Sequence, residues 1–119
     1  MKSFDNPRVF RMPFSSIYPL YIQKVTVKNR TQEELDQVLS WLTGYSKKQL
    51  IEQIENGNSL QAFFDEAPNF TDKAHLITGV ICGVRLEEID HPLMKKVRYM
   101  DKVVDELAKG KSLEKIFRN

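Results

Sequence analysis

The residue types that most often carry catalysis are few in this chain, and their spacing is poor for it. Cys82 and His75 are seven residues apart, so a continuous helix would place them on one face but about 10 Å apart along its axis. A thiolate–imidazole pair needs hydrogen-bond contact. A cysteine that follows Val80 and Ile81 is also more typical of a small buried side chain. The spacing therefore argues against a cysteine nucleophile.

The remaining ligand-type side chains do not indicate a metal site. His75, His91, Asp90 and Glu87 supply suitable atoms, but two histidines without a tight spacing pattern are more typical of surface residues. The single cysteine excludes an intrachain disulfide and a multi-thiolate zinc site. The sequence has no glycine-rich phosphate loop, nucleophile elbow or zinc-ligand pair. We predict no catalytic residue, no metal and no cofactor, and an enzymatic role is disfavoured.

A helix-turn-helix is the sharpest functional pattern in the sequence. The segments around Thr31–Leu35, Gly44 and Ile54–Gly57 resemble phage-repressor DNA-binding domains, with Gly44 at the turn. The side chains that would face the major groove are Lys47, Lys48, Gln49 and Gln53. The first helix is about one turn too long for that motif, and the second has an extra residue before its glycine. The second helix also lies in an acidic segment, where phosphate is repelled.

Aromatic side chains indicate another candidate surface. An aromatic group near the N-terminus lies beside Arg11 and could stack a nucleotide ring next to phosphate-binding cations, although such a stripe is more often core. Trp41 falls off the apolar stripe of its helix, which suits the rim of an association surface. We therefore predict a contact surface made of Arg11, Tyr18, Tyr21, Trp41 and Tyr45.

Helices are expected to position these side chains, because helical spacing dominates the sequence. Thr31 and Ser46 begin two helices through capping boxes, and glycines such as Gly44 end them. The longest helix is predicted near residues 92–109, with Pro92 at its first position. Its apolar stripe repeats every three or four residues: Leu93, Val97, Met100, Val104 and Leu107.

Two further segments carry expectations of their own. A helix is predicted from Thr71 or Asp72 to Cys82, with Gly79 inside it and an inward face of Leu76, Ile77, Val80 and Ile81. Residues 24–28 alternate like a strand, but nothing supplies a partner strand, so a helix is favoured there. Gly57–Phe64 resembles Gly110–Phe117, and Gly44–Ile54 resembles Gly83–Ile89. These similarities leave open whether the chain contains two related halves.

Length and composition set the fold class. The 119 residues suit one ordinary domain, and 41% hydrophobic with 29% charged residues is a globular composition. No apolar stretch approaches the roughly 20 residues needed to cross a bilayer. The start shows no secretory signal. We predict an all-α protein, a single compact bundle of six to seven short helices over residues 1–119. Residues 1–7 are expected to be a loosely ordered tail, and the location is expected to be cytoplasmic, away from membranes.

Charge is divided unevenly along the chain. Residues 1–30 carry +5, residues 31–90 carry −7 and residues 91–119 carry +4, so that the net charge is only +2. Basic ends could bind a polyanion, but their mutual neutralisation with the acidic middle, within one fold or across a dimer, is favoured. The acidic middle disfavours nucleic acid as a partner.

Several blocks of sequence resemble one bacterial family. They are Arg8–Phe14, Tyr18–Tyr21, Trp41–Tyr45, Ile77–Arg85 and Asp101–Lys111. Together they are similar to the domain-of-unknown-function family numbered two thousand two hundred, which comprises small helical prokaryotic proteins, and the likeness extends from about Arg8 to Arg118. The resemblance implies a helical fold, including a helix near Val25, and it brings no assigned activity, substrate or catalytic residue.

The leading functional hypothesis is a non-enzymatic protein-interaction or self-associating module. It rests on the lack of a catalytic constellation and on the complementary charged segments. A nucleic-acid-binding protein of helix-turn-helix type is one alternative. A small-ligand-binding domain near Tyr18, Tyr21 and Arg11 is another.

Overall fold

Seven α-helices, two 3-10 helices and one short hairpin make up residues 8–118, which are the residues described by this computed structural model. The α-helices are α1 (Arg8–Arg11), α2 (Phe14–Thr26), α3 (Gln32–Thr43), α4 (Lys47–Glu55), α5 (Leu60–Asp65), α6 (Pro92–Ala108) and α7 (Leu113–Ile116). The 3-10 helices span Asp72–Leu76 and Leu86–Glu88, and the hairpin pairs β1 (Val80–Ile81) with β2 (Val84–Arg85). The predicted helical bundle is confirmed, whereas the predicted tail at residues 1–7 lies outside the described residues.

The longest helix, α6, is the centre of the bundle. It packs against α2, α3, α5, α7 and β1. His91 is its N-cap and Pro92 its first residue, as the sequence predicts. Of the predicted apolar stripe, Val97, Met100, Val104 and Leu107 are buried and Leu93 is half-buried.

The two capping boxes predicted for α3 and α4 are both present. The Thr31 side chain accepts from the Glu34 backbone, and the Ser46 side chain accepts from the Gln49 backbone. Gly44 lies between the two helices with φ +82°, a left-handed conformation that glycine adopts without steric cost. Local sequence signals therefore fix the α3–α4 corner.

Helix α2 resolves the strand-or-helix question near Val25. It extends to Thr26 and buries Phe14, Tyr18, Tyr21 and Val25 at helical spacing. Val27 follows in an αR conformation and is 69% exposed. The favoured helix is confirmed, and Pro19 is accommodated inside it.

The helix predicted up to Cys82 is wrong. The chain forms a 3-10 helix at Asp72–Leu76 and then the β1–β2 hairpin, with the two-residue turn at Cys82 and Gly83. Gly79 (φ +102°), Cys82 (φ +53°) and Gly83 (φ +76°) all have positive φ, which an α-helix cannot contain and which such a hairpin turn requires.

The burial pattern follows this hairpin. Leu76 and Val80 are 45% and 48% exposed, while Ile77 and Ile81 are buried. The Gly83 segment therefore differs from the Gly44 segment that it resembles in sequence. Gly57 and Gly110 do each precede a serine-capped helix.

We predict that Gly44→Ala destabilises the protein more than Gly57→Ala. Both glycines have positive φ, so each alanine costs about 1–2 kcal/mol in backbone strain. At Gly44 a new Cβ would also lie 2.6 Å from the Asn69 nitrogen, whereas nothing lies within 4 Å at Gly57. Overpacking adds roughly 1–3 kcal/mol. Urea unfolding of the two variants measures the difference, and equal losses would contradict the close packing at Gly44.

Candidate functional site

A groove of about 590 Å³ runs along one face of α3. Residues three and four apart share a helix face, and this face is polar until it reaches Trp41. Lys47, the first residue of α4, and Phe117, which directly follows α7, complete the lining. The lining residues of α3 are Glu33, Asp36, Gln37, Ser40 and Trp41.

The apolar wall of the groove is a pair of stacked rings. The ring centroids of Trp41 and Phe117 are 5.6 Å apart, and the two planes make an angle of 29°. Both side chains are half-buried. The apolar stripe of α3 points into the core, and Trp41 lies at the edge of that stripe. The faces and edges that remain exposed line the groove.

Phe117 is held in place by its two neighbours. Ile116 is fully buried, and the Arg118 guanidinium donates to both oxygens of Glu106, at 2.7 and 2.9 Å. Burial raises the pKa of Glu106, but the hydrogen bonds and charges of Arg118 and Lys111 outweigh it, so that the pKa lies below its usual range. The ionised Glu106 thus fixes the C-terminal segment against α6.

The polar wall contains a carboxylate that is almost buried. Asp36 is 7% exposed, and the Tyr18 hydroxyl donates to its Oδ1 at 2.5 Å. The Gln32 amide donates to the same hydroxyl oxygen at 2.9 Å. Burial, followed by the bond to Asp36, raises the pKa of Tyr18 to about 12, so the phenol keeps its proton and remains a donor.

The second oxygen of that carboxylate is without a protein donor. Within residues 8–118, the Tyr18 hydroxyl is the only group that donates to Asp36, and it reaches Oδ1. Glu33 and Lys47, both exposed, form no ion pair among the same residues. The groove therefore combines an aromatic wall with a buried carboxylate and two exposed charges of opposite sign.

Comparison with known proteins shows the family. Residues 8–118 match the family described as "Uncharacterized protein conserved in bacteria (DUF2200)". The chain belongs to this family. Its structure is similar to the crystal structure of the uncharacterized protein SP1917, with a TM-score of 0.89, 40% sequence identity, and coverage of 95% of this chain and 93% of that chain. Among curated proteins, no match to the sequence is found.

The family resemblance inferred from the sequence is thus confirmed. Neither the DUF2200 description nor the similar structure carries a specific function. The groove must therefore be interpreted from its own chemistry.

The contact surface predicted from the sequence is divided between core and surface in this DUF2200 protein. Tyr18, Tyr21 and Tyr45 are at most 9% exposed. The hydroxyls of the first two donate to carboxylates and that of the third to a backbone carbonyl, all inside the fold. These tyrosines are buried because internal acceptors satisfy their polar ends. Arg11 is exposed, and Trp41 alone lies at the groove.

This burial also affects the predicted ligand site beside Arg11. Tyr18 and Tyr21 present no exposed ring there, since both side chains point into the core with hydroxyls bonded to Asp36 and Asp101. Burial, followed by the nearby charge of Asp101, raises the pKa of Tyr21 well above its usual value. The sequence-based cluster is therefore not one accessible surface.

The helix-turn-helix residues have mixed positions. Lys47 and Lys48 are exposed in the first turn of α4. Gln49 is exposed as well, but its Oε1 accepts from the Ser46 backbone at 2.9 Å in the capping box. Gln53 is 6% exposed and donates to Glu66 at 3.3 Å, so it is not available to a major groove.

The residues weighed for catalysis or metal binding have other places in the fold. Cys82 is exposed at the hairpin turn rather than buried, and His75 belongs to a 3-10 helix, so the assumed continuous helix does not exist. His91 caps α6, and Glu87 accepts from the Gly79 backbone. Among residues 8–118, no three histidine, cysteine or acidic side chains gather closely enough to hold a metal ion. No helix in that range has the length and apolarity to span a bilayer.

Sequence reasoning missed most of the groove, although one signal was present. Opposite the apolar stripe of α3, polar residues recur at i, i+3, i+4 and i+7 and lead directly to Trp41: Glu33, Asp36, Gln37 and Ser40. The contribution of Phe117 comes from the far end of the chain and has no local signal.

We predict that Glu106→Gln destabilises the fold by about 3 kcal/mol at pH 7, the lower end of the range for breaking a buried ion pair. Because the pKa of Glu106 is lowered in the folded state, its stabilisation is present above the unfolded value of about 4.5 and is lost as the pH falls through the folded value. The difference in the free energy of unfolding between the variant and the parent should therefore become smaller from pH 5 toward pH 3. Urea unfolding across this range measures it.

The matched control is Glu114→Gln, because Glu114 is an exposed residue of α7 that forms no ion pair within the described chain. Emission of Trp41, the single tryptophan, provides a second readout. It should shift to longer wavelength in Glu106→Gln as Phe117 is released. A loss of stability that is the same at pH 7 and pH 3 would contradict the role of the ionised pair.

Proposed function

We propose that this protein is a non-enzymatic protein-interaction module that docks a segment of a partner protein in the groove beside Trp41. The observation that carries the proposal is the Trp41–Phe117 stack, which stays half-exposed in a groove of about 590 Å³. Aromatic side chains are enriched at protein interfaces, and side chains of a docked peptide fill grooves of this kind.

The chemistry of the lining favours binding over catalysis. Among residues 8–118, no histidine and no cysteine lines the groove, and the Ser40 hydroxyl forms no hydrogen bond with a base. An activated nucleophile requires such a base. Carboxylate, amide and aromatic groups without an activated nucleophile are suited to recognition.

Nucleic acid is the alternative that Lys47 and Lys48 support, since both are exposed at the start of α4. The same helix, however, exposes Glu52 and Glu55 and buries Gln53. Acidic side chains next to a phosphate backbone oppose binding. A protein segment is therefore the favoured occupant, and a second copy of this chain is one form that it can take.

We predict that peptides selected for binding from a displayed random library depend on the aromatic wall. Trp41→Ala and Phe117→Ala should each weaken the selected peptides by about 2 kcal/mol, roughly 30-fold in affinity, as expected for interface hot spots. Leu20→Ala is the matched control, because Leu20 is 58% exposed on α2 and does not line the groove. Calorimetric titration measures all three, with circular dichroism to confirm the fold.

Two outcomes would contradict this function. One is that selected peptides bind Trp41→Ala and Phe117→Ala as tightly as the parent. The other is that no peptide is enriched while duplex DNA binds with an affinity that falls steeply with salt, which would support the nucleic-acid alternative. Light scattering over a range of concentrations shows whether a second copy occupies the groove.

A further inference from the structure

We propose that the groove selects an arginine side chain of the docked segment. The guanidinium would pair with Asp36 and Glu33, and its flat face would pack against Trp41. This inference rests on the proposed function and adds to it the chemical class of the contact. It is carried by the state of Asp36, by the distribution of ion pairs over the chain and by the shape of the aromatic wall.

Asp36 is the first reason to expect a cation. It is 93% buried as a residue, yet among residues 8–118 only the Tyr18 hydroxyl donates to it, at Oδ1. A carboxylate accepts stronger hydrogen bonds from a charged donor than from a neutral one. Its unpartnered Oδ2 belongs to a side chain that lines the groove. A donor brought by a partner would complete the set of hydrogen bonds.

The distribution of ion pairs is the second reason. The acidic segment 31–90 carries −7, but among the described residues only one ion pair, Arg30–Glu34, uses an acid of that segment. The other ion pairs are formed by three acids of α6: Asp101, Asp105 and Glu106. The basic ends of the chain therefore neutralise α6 and leave the surface acids, Glu33 included, available to a basic partner.

The aromatic wall favours guanidinium over ammonium. Glu33 and Asp36 are three residues apart on one helix face, so their carboxylates are neighbours. The planar fork of arginine can donate to both while its face stacks on an indole ring, and it loses less hydration than an ammonium group. A lysine would supply charge without the stacking.

Lys47 is the internal competitor for this position. Its side chain is exposed, lines the groove and forms no ion pair within the described chain. An ammonium group at the rim repels an incoming cation. Removing it should therefore strengthen arginine binding, whereas removing Lys48, which does not line the groove, should have a smaller effect.

The test uses the full chain and four small probes read by Trp41 fluorescence: the N-acetyl methylamides of arginine, lysine, citrulline and norleucine. Citrulline keeps the shape of arginine and removes its charge. Arginine should bind roughly tenfold or more tightly than citrulline, as expected for loss of a charge-assisted hydrogen bond. Lysine should lie between them, and norleucine should bind weakly.

Substitutions of the two carboxylates test whether they cause the preference for arginine. Asp36→Asn and Glu33→Gln should each reduce arginine affinity by roughly tenfold without changing norleucine affinity. The Lys47→Ala variant should bind the arginine probe more tightly than the Lys48→Ala variant does. Glu33 is exposed, so Glu33→Gln keeps the test valid if Asp36→Asn disturbs the bond from Tyr18.

The outcomes separate this inference from the proposed function. If citrulline or norleucine binds as well as arginine, or if Glu33→Gln and Lys47→Ala have no effect, arginine selection is overturned while docking beside Trp41 stands. Lysine binding that equals arginine binding would also overturn it, in favour of a general cation site. If no probe binds and selected peptides ignore Trp41, both the inference and the proposed function are overturned.

Discussion

Every side chain in the final stretch of α6 is buried, and the rest of the structure depends on that constraint. Residues Val103 to Ala108 are all buried, although Asp105 and Glu106 are among them. Cations beside these two carboxylates offset the cost of taking their charges out of water. Lys24 from α2 reaches Asp105 at 3.1 Å, and Arg118 reaches Glu106 at 2.7 Å. The two basic ends of the chain are thus drawn onto the central helix.

The C-terminus of α6 imposes a second requirement, because its last carbonyls have no partners within the helix. Arg30 supplies donors, with its Nη1 at 3.1 Å from the Leu107 carbonyl and 2.9 Å from that of Lys111. The same guanidinium holds Glu34, which completes the capping box of α3. One side chain therefore connects the start of α3 to the end of α6. The groove between α3 and the C-terminal segment is fixed from both sides by interactions that stabilise the core.

The fold could be predicted wherever local signals agreed. Capping boxes at Thr31 and Ser46, Gly44 as a helix stop and Pro92 as a first residue are set by neighbours in sequence, and all are confirmed. The hairpin after Leu76 could not be read in this way, because its apolar residues suit a helical face as well as alternation. The hairpin is determined by backbone positions with positive φ, including Cys82. Cysteine is not a residue type that indicates a positive φ, so the sequence did not predict the turn.

The site was less predictable, because the decisive contacts join residues distant in sequence. The Tyr18 hydroxyl donates to a carboxylate 18 residues away, and the Tyr21 hydroxyl donates to one 80 residues away. The spacing of the aromatic residues alone could not show these contacts, and so it could not show that both side chains are buried. Trp41 could be placed at a rim because it departs from an apolar stripe. Asp36 connects the two cases. Its Oδ1 accepts from the Tyr18 hydroxyl inside the fold, while its Oδ2, left without a partner inside the described chain, belongs to a side chain that lines the groove. The side chain that satisfies a buried tyrosine hydroxyl therefore also supplies an acceptor that the groove presents to a partner.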